Sequence, residues 1–131
     1  MDTLAWYQTL IKPAWAPPAA VFGPVWTLLY GIIAVSFGFV FYQAARGKLG
    51  WVVALPFALN LLFNFAFTPL QFGLQNNFLA ALDILLVLTT LVWALVSIYP
   101  HYAWVAFVNI PYLLWVCFAT VLQLTITYLN W

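Results

Sequence analysis

The sequence predicts an all-α integral membrane protein: a bundle of four transmembrane helices preceded by a Pro- and Trp-rich loop. Three observations predict this fold. The 131 residues are 68% hydrophobic and 4% charged, whereas a surface that faces water normally carries far more charge. Four apolar runs of about 20 residues or more can each cross a hydrocarbon core of about 30 Å. The turns between them are too short for a soluble domain, so we expect a single domain over residues 1–131.

The first element is the loop, which covers residues 1 to about 17. Pro13, Pro17 and Pro18 fix the backbone φ angle and remove hydrogen-bond donors, so the part of this loop or short interfacial segment that follows Lys12 cannot be a helix. It also contains Trp15 and leads directly into the first apolar run. We interpret this stiff, aromatic segment as a lid over a site inside the bilayer.

The four predicted helices cover about residues 18–43, 51–70, 78–97 and 102–128. Pro111 lies inside the fourth helix and predicts a kink there, because proline removes one backbone donor and collides with the preceding turn. Short turns join the helices, so neighbours in the chain should be antiparallel.

Each predicted helix has one side of polar, small or aromatic residues, and its other sides are Leu, Val, Ile and Phe. A polar group that faces hydrocarbon costs several kcal/mol, so we expect these sides to converge inside the bundle. The small residues of the first helix predict close helix packing, either within the bundle or in a dimer. Helix by helix, the residues of these sides are Gly23, Thr27, Gly31, Ala34 and Gly38 beside Trp26, Tyr30 and Phe37; Asn60, Asn64 and Phe67; Asn76, Asp83, Thr90, Ala94 and Ser97; and Tyr112, Trp115, Ala119 and Gln123.

Asp83 is the acidic residue that falls inside a predicted span. A carboxylate within the membrane is costly and often marks a proton or cation site, which would suit a small proton-coupled transporter. It could equally be a structural group near the start of the third helix, where the helix dipole and neighbouring helices stabilise it. Both interpretations stay open.

Two further pairs of residues could line a cavity. Asn60 and Asn64 are four residues apart and therefore share a helix face; we expect Asn60 to bridge helices and Asn64 to face the cavity. Trp26 and Trp115 fall inside predicted spans rather than at their ends. They either pack in the core or form a flat aromatic wall for a planar, largely apolar ligand.

Several functions are excluded by what the sequence lacks. Three basic residues cannot neutralise a nucleic-acid backbone. His101 falls in a turn at the membrane edge, and Cys117 is interpreted as a small apolar filler, so no metal site is predicted. No nucleophile set, phosphate loop or carboxylate pair is present, and we therefore predict no catalytic residue and no cofactor.

Five segments taken together resemble the TspO/MBR family of tryptophan-rich sensory proteins and mitochondrial translocator proteins: WYQTLIKPAWAPP, FGPVWTLLY, LNLLFNFAFTPLQFG, ALDILLV and PYLLWVCFATVL. The similarity extends from Trp6 to Asn130. It implies a bundle, expected to be a homodimer, that binds porphyrins such as protoporphyrin IX or haem beneath a loop matching residues 6–18. The family pattern has five spans, with a helix before this loop. Five residues precede Trp6 here, so four spans are visible and the first helix is missing: either the start is truncated, or the bundle is closed by four helices or by a partner.

The resemblance also implies a set of site residues. Pocket residues of the family match Trp26, Asn64 and Trp115, and positions that line or close the pocket match Trp15, Pro17, Tyr30, Asn60 and Ala119. Phe65 and Phe67 stand where many members have Trp or Gln and Trp, so we expect a more apolar pocket that includes Phe67. The family's C-terminal sterol motif is absent.

The function expected from this resemblance is porphyrin binding within the membrane, for transport, sensing or porphyrin clearance. Some members are reported to degrade protoporphyrin in light with tryptophans that match Trp26 and Trp115. Photo-oxidative degradation and proton-coupled transport through Asp83 are therefore the alternatives, and whether the protein is an enzyme stays open.

Overall fold

A computed structural model of the chain describes residue 10, residues 19–68 and residues 76–130. The described part is helical. In chain order its helices are α1 (Ala19–Ala45), α2 (Trp51–Thr68), α3 (Asn77–Ile98), α4 (Ala103–Val108) and α5 (Ile110–Leu129). The predicted lid, with Trp15 and Pro17, lies outside the described residues.

The helices form the bundle of a membrane protein. Within the described residues, α1 from Gly23 onward, α3 and α5 are long and apolar enough to cross a membrane. The helix α2 is also apolar but has 18 residues, a length of about 27 Å. The predicted all-helical membrane bundle is thus confirmed: within the described residues it has three long candidate spans and the apolar helix α2.

Local chemistry explains where α1 ends and where α3 begins. The α1–α2 turn contains Gly47 at φ +74°, a left-handed conformation that glycine adopts without strain. The backbone N–H of Leu79 donates to the side-chain Oδ1 of Asn76 at 3.0 Å, which caps the start of α3. Asn76 is therefore the N-cap residue of α3.

The fourth predicted helix, expected to kink at Pro111, is divided at Asn109 into two helices, α4 and α5, that together cover nearly the predicted range. The chain leaves the helix at Asn109, between α4 and α5, and Pro111 lies in the first turn of α5. Pro111 has no N–H to give the carbonyl of Phe107. The side chain of Asn109 donates to the carbonyl of Val105 (2.8 Å) and to Ser36 Oγ on α1 (2.9 Å). The second bond connects the interruption to α1.

An apolar core fills the half of the bundle nearest the α1–α2 turn. Phe37 and Phe57, both fully buried, meet edge to face with ring centroids 4.8 Å apart. Leu91 and Ile98 of α3 and Val105 of α4 pack into the same cluster. This core holds the helices together below the polar centre of the bundle.

The small residues of α1 face away from the other described helices. Thr27 and Ala34 are exposed. A Cβ added to Gly23, Gly31 or Gly38 would meet no described atom within 4 Å. Among the described residues, the stripe therefore makes no close contact with another helix.

Four other residues lie on the outer surface of the bundle. Cys117, interpreted as a small apolar filler, is exposed on α5. His101 is exposed in the α3–α4 turn, as expected for a residue at the membrane edge. Trp51 and Trp104 stand at the starts of α2 and α4, where tryptophans commonly sit between the hydrocarbon and the headgroups.

Candidate functional site

A chain of hydrogen bonds between side chains crosses the centre of the bundle. Tyr30 on α1 donates its hydroxyl hydrogen to Asn64 Oδ1 at 3.2 Å, and Asn64 Nδ2 donates to the Tyr112 hydroxyl at 2.7 Å. Tyr112 donates to Asn60 Oδ1 at 2.8 Å. Asn60 Nδ2 then donates to the Val87 carbonyl (2.9 Å) and to Thr90 Oγ1 (3.2 Å) on α3. We call these five side chains (Tyr30, Asn64, Tyr112, Asn60 and Thr90) the polar chain.

The polar chain connects α1, α2, α3 and α5. Its four inner side chains are at most 5% exposed, while Tyr30 at its outer end is 40% exposed. Polar groups in a membrane interior must find partners within the protein, and these side chains satisfy one another. The result is a fixed polar line that begins at a partly open surface.

Aromatic rings surround the open end of the polar chain. The ring of Trp26 lies 5.5 Å from that of Tyr30 and 6.5 Å from that of Trp115, with the two indoles nearly perpendicular at 88°. Trp26 also meets the Tyr112 ring edge-on at 6.5 Å. Phe65 approaches Tyr30 at 6.3 Å from the other side. We call Trp26, Tyr30, Phe65 and Trp115 the aromatic cluster.

The two asparagines are both buried and both bond to other helices, but they differ in their partners. Asn60 is fully buried and uses both its oxygen and its nitrogen in bonds to α3 and α5. Asn64 is one turn further along α2 and bonds to Tyr30, at the aromatic cluster. The structure therefore places Asn60 in the interhelical part of the polar chain and Asn64 beside the candidate site.

The remaining predicted site residues lie either at the margin of the site or outside the described residues. Phe67 and Ala119 are half-buried and pack against the apolar core. Trp15 and Pro17 lie outside the described residues. The structure thus brings together Trp26, Tyr30, Asn64 and Trp115, with Asn60 behind them.

Asp83 lies on α3 one turn before Val87 and is 4% exposed. Its Oδ2 atom has no hydrogen-bond partner among residues 19–68 and 76–130. A buried carboxyl oxygen without a partner is unusual and costly. The same described ranges contain no group of three or more His, Cys, Asp or Glu side chains that could hold a metal ion.

Sequence reasoning missed the central role of the Tyr112 hydroxyl. It placed Tyr112 on the same face as Trp115 but not among the site residues. The signal was a polar group on a face with Gln123, in a run that is otherwise apolar. It also missed the contact between Ser36 and Asn109, which joins two helices across 73 positions of the chain.

The fold and these contacts define a small, multi-pass helical membrane protein whose interior carries tryptophans, tyrosines and asparagines. The family model described as TspO/MBR matches residues 1–129, and the chain belongs to the TspO/MBR family. It is an integral membrane protein.

Named relatives come from bacteria, archaea and animals. The chain is 40% identical to the tryptophan-rich protein TspO of Bacillus cereus over 129 residues, which covers 95% of this chain and 80% of that protein. It is 37% identical to the tryptophan-rich protein TspO of Archaeoglobus fulgidus, an archaeal relative, over 95% of this chain and 80% of that protein. It is 35% identical to the human translocator protein, over 87% of this chain and 75% of that protein.

Proposed function

We propose that this protein binds porphyrins, or other planar and largely apolar ligands, at the aromatic cluster inside the membrane. The observation that supports this most strongly is the perpendicular pair Trp26–Trp115 with Tyr30 and Asn64 at its edge. One indole offers its face where the other offers its edge, and a few polar atoms at the border can orient a ligand. Binding is the step that transport, sensing and porphyrin clearance would share.

The test is a titration of protoporphyrin IX into the protein in lipid nanodiscs, followed by the porphyrin absorption band and by tryptophan quenching. Removing both cluster indoles (Trp26→Ala with Trp115→Ala) should weaken binding at least about tenfold, because buried aromatic anchors dominate such contacts. The matched control removes two exposed indoles, Trp51→Ala with Trp93→Ala, and should keep the affinity within about twofold. Equal affinities in both double variants would refute this site.

Light-dependent degradation of the bound porphyrin is a second candidate. Trp26 and Trp115 are in contact with each other, and a tryptophan next to an excited porphyrin can act as an electron donor. Illuminated protein should then consume porphyrin faster than nanodiscs without protein, and Trp26→Phe should slow the reaction while Trp93→Phe does not. Loss of porphyrin at the same rate with and without protein would exclude this activity.

Proton-coupled transport is a third candidate, favoured by the buried Asp83 carboxyl and its unpaired Oδ2 among the described residues. In proteoliposomes, substrate flux should follow an imposed pH gradient and disappear in Asp83→Asn, which keeps the shape of the side chain. Flux that persists in this variant would assign Asp83 a structural role.

We also propose a homodimer, which the outward-facing small residues of α1 support because such residues let helices approach closely. Replacing Gly31 by Leu should reduce the dimer population measured by cross-linking in membranes. Val96→Leu, at an exposed valine of α3, serves as control, and equal dimer populations in the two variants would remove α1 from the interface.

A further inference from the structure

The direction of every hydrogen bond in the polar chain follows from one backbone atom. The carbonyl oxygen of Val87 can only accept a hydrogen bond, so the group of Asn60 that faces it must be the amide nitrogen. Thr90 agrees, since its own hydrogen goes to a carbonyl of α3 and its oxygen is left to accept from Asn60. The side-chain oxygen of Asn60 must therefore face Tyr112.

The same argument continues outward. Tyr112 has one hydroxyl hydrogen, and it must go to Asn60 Oδ1, which is an acceptor. Toward Asn64 the Tyr112 oxygen can then only accept, so Asn64 must turn its amide nitrogen to Tyr112. This leaves Asn64 Oδ1 facing Tyr30, and the Tyr30 hydroxyl must donate to it.

The outermost hydroxyl is thus fixed as an acceptor for anything outside the protein. Tyr30 donates its single hydroxyl hydrogen to Asn64, so only the lone pairs of its oxygen remain to bond a ligand. Tyr30 is also the exposed member of the polar chain, and its ring touches Trp26 of the aromatic cluster. A ligand that presents another acceptor, such as a carbonyl oxygen, would gain nothing at this atom.

We infer that the site selects planar ligands carrying an N–H or O–H donor that bonds to the Tyr30 oxygen, and that Tyr112 is the positioning residue that imposes this preference. The inference rests on the proposed function, since it concerns ligands of the aromatic cluster. Tyr112 touches no ligand atom in this scheme. It acts by holding the Asn64 amide in one of its two orientations, and therefore decides which groups of a ligand are favoured.

Three tricyclic probes of nearly the same shape test this selectivity: carbazole has an N–H donor, dibenzofuran has an ether oxygen, and fluorene has neither. Their binding to protein in nanodiscs is compared after subtraction of binding to empty nanodiscs. We expect the intact protein to prefer carbazole over dibenzofuran by about 2- to 12-fold, the value of one neutral hydrogen bond. Tyr30→Phe should bring this ratio to about one.

Tyr112→Phe separates positioning from a general structural role. Without the Tyr112 hydroxyl the Asn64 amide can turn over, and Tyr30 is then free to donate to a ligand or to accept from it. The ratio of carbazole to dibenzofuran affinity should fall toward one, while fluorene affinity stays within about twofold. A loss of affinity shared equally by all three probes would mean that Tyr112 is merely structural, and would overturn the inference.

If Tyr112→Phe does not fold, or if no probe binds, a measurement without ligand determines the direction of the hydrogen bonds in the polar chain. In deuterated protein with protonated tyrosine and ¹⁵N-labelled asparagine, the side-chain N–H protons of Asn64 should show magnetisation transfer to the Tyr112 ring rather than the Tyr30 ring. Transfer to Tyr30 instead would overturn the inferred direction. Failure of protoporphyrin IX to bind the intact protein would refute the proposed function, whereas equal binding of carbazole and dibenzofuran would refute only the selectivity.

Discussion

Thr89 and Thr90 offer a measure of how much the polar chain contributes to stability. The two residues are adjacent on α3, and each hydroxyl donates to the carbonyl four residues earlier at 2.8 Å. Thr89 is exposed, whereas Thr90 is buried and also accepts from Asn60 Nδ2 at 3.2 Å. Replacement by Val keeps the shape of the side chain and removes the hydroxyl, so the two variants differ mainly by this interhelical bond.

We expect Thr90→Val to lower the free energy of unfolding by about 0.6–1 kcal/mol more than Thr89→Val does. Hydrogen bonds between membrane helices average about 0.6 kcal/mol and reach about 1.7 kcal/mol. The lower part of this range applies because Asn60 Nδ2 keeps its bond to the Val87 carbonyl at 2.9 Å. The measurement is reversible unfolding in mixed micelles with increasing SDS, followed by circular dichroism.

A double-mutant cycle makes the result specific. In an Asn60→Leu background the donor is gone, and Thr90→Val and Thr89→Val should then have the same effect. If the two threonine variants already match in the otherwise unchanged protein, the bond from Asn60 adds nothing to stability. If they still differ in the Asn60→Leu background, the difference arises from burial of Thr90 and not from the polar chain.

Three other changes have defined outcomes in the same unfolding assay. Asn76→Ala should cost about 1 kcal/mol by removing the cap of α3, while Asn76→Ser retains an acceptor and should cost less; equal losses would argue against the cap. Gly47→Ala should cost about 1–2 kcal/mol because of its positive φ, and Gly50→Ala, which has ordinary φ, should be nearly neutral. Phe57→Ala should cost about 3 kcal/mol or more through the lost contact with its core partner, against less than about 0.5 kcal/mol for the exposed Phe107→Ala; similar values would place Phe57 outside the core.

Helix positions could be predicted where local chemistry decides them. The predicted ranges 18–43 and 78–97 lie within two residues of α1 and α3 at each end. Charges, glycines and the capping asparagine mark these ends in the sequence itself. The interruption between α4 and α5 was not predictable, because Pro111 is compatible with a kink or with a break. The break coincides with the bond from Asn109 to Ser36, which lies far away in the sequence.

The sequence predicted which residues belong to the candidate site better than it predicted how they contact one another. Helical spacing placed Asn60 with Asn64, and the resemblance pointed to Trp26 and Trp115. The hydroxyl of Tyr112 joins residues 48 and 52 positions away, and no spacing within one helix indicates such a contact. The stripe of small residues on α1 shows the same limit. Helical periodicity identifies the residues that share a face but not what packs against that face.

The polar chain carries no formal charge along its length, because tyrosine, asparagine and threonine side chains are neutral at physiological pH. Moving one elementary charge through a membrane potential of 100 mV involves about 2.3 kcal/mol, but rearranging neutral dipoles such as these transfers no net charge. The described basic residues, Arg46 and Lys48, lie in the α1–α2 turn outside the spans. Occupancy of the aromatic cluster by a neutral molecule should therefore be independent of membrane voltage, whereas an anionic porphyrin would bring its own voltage dependence.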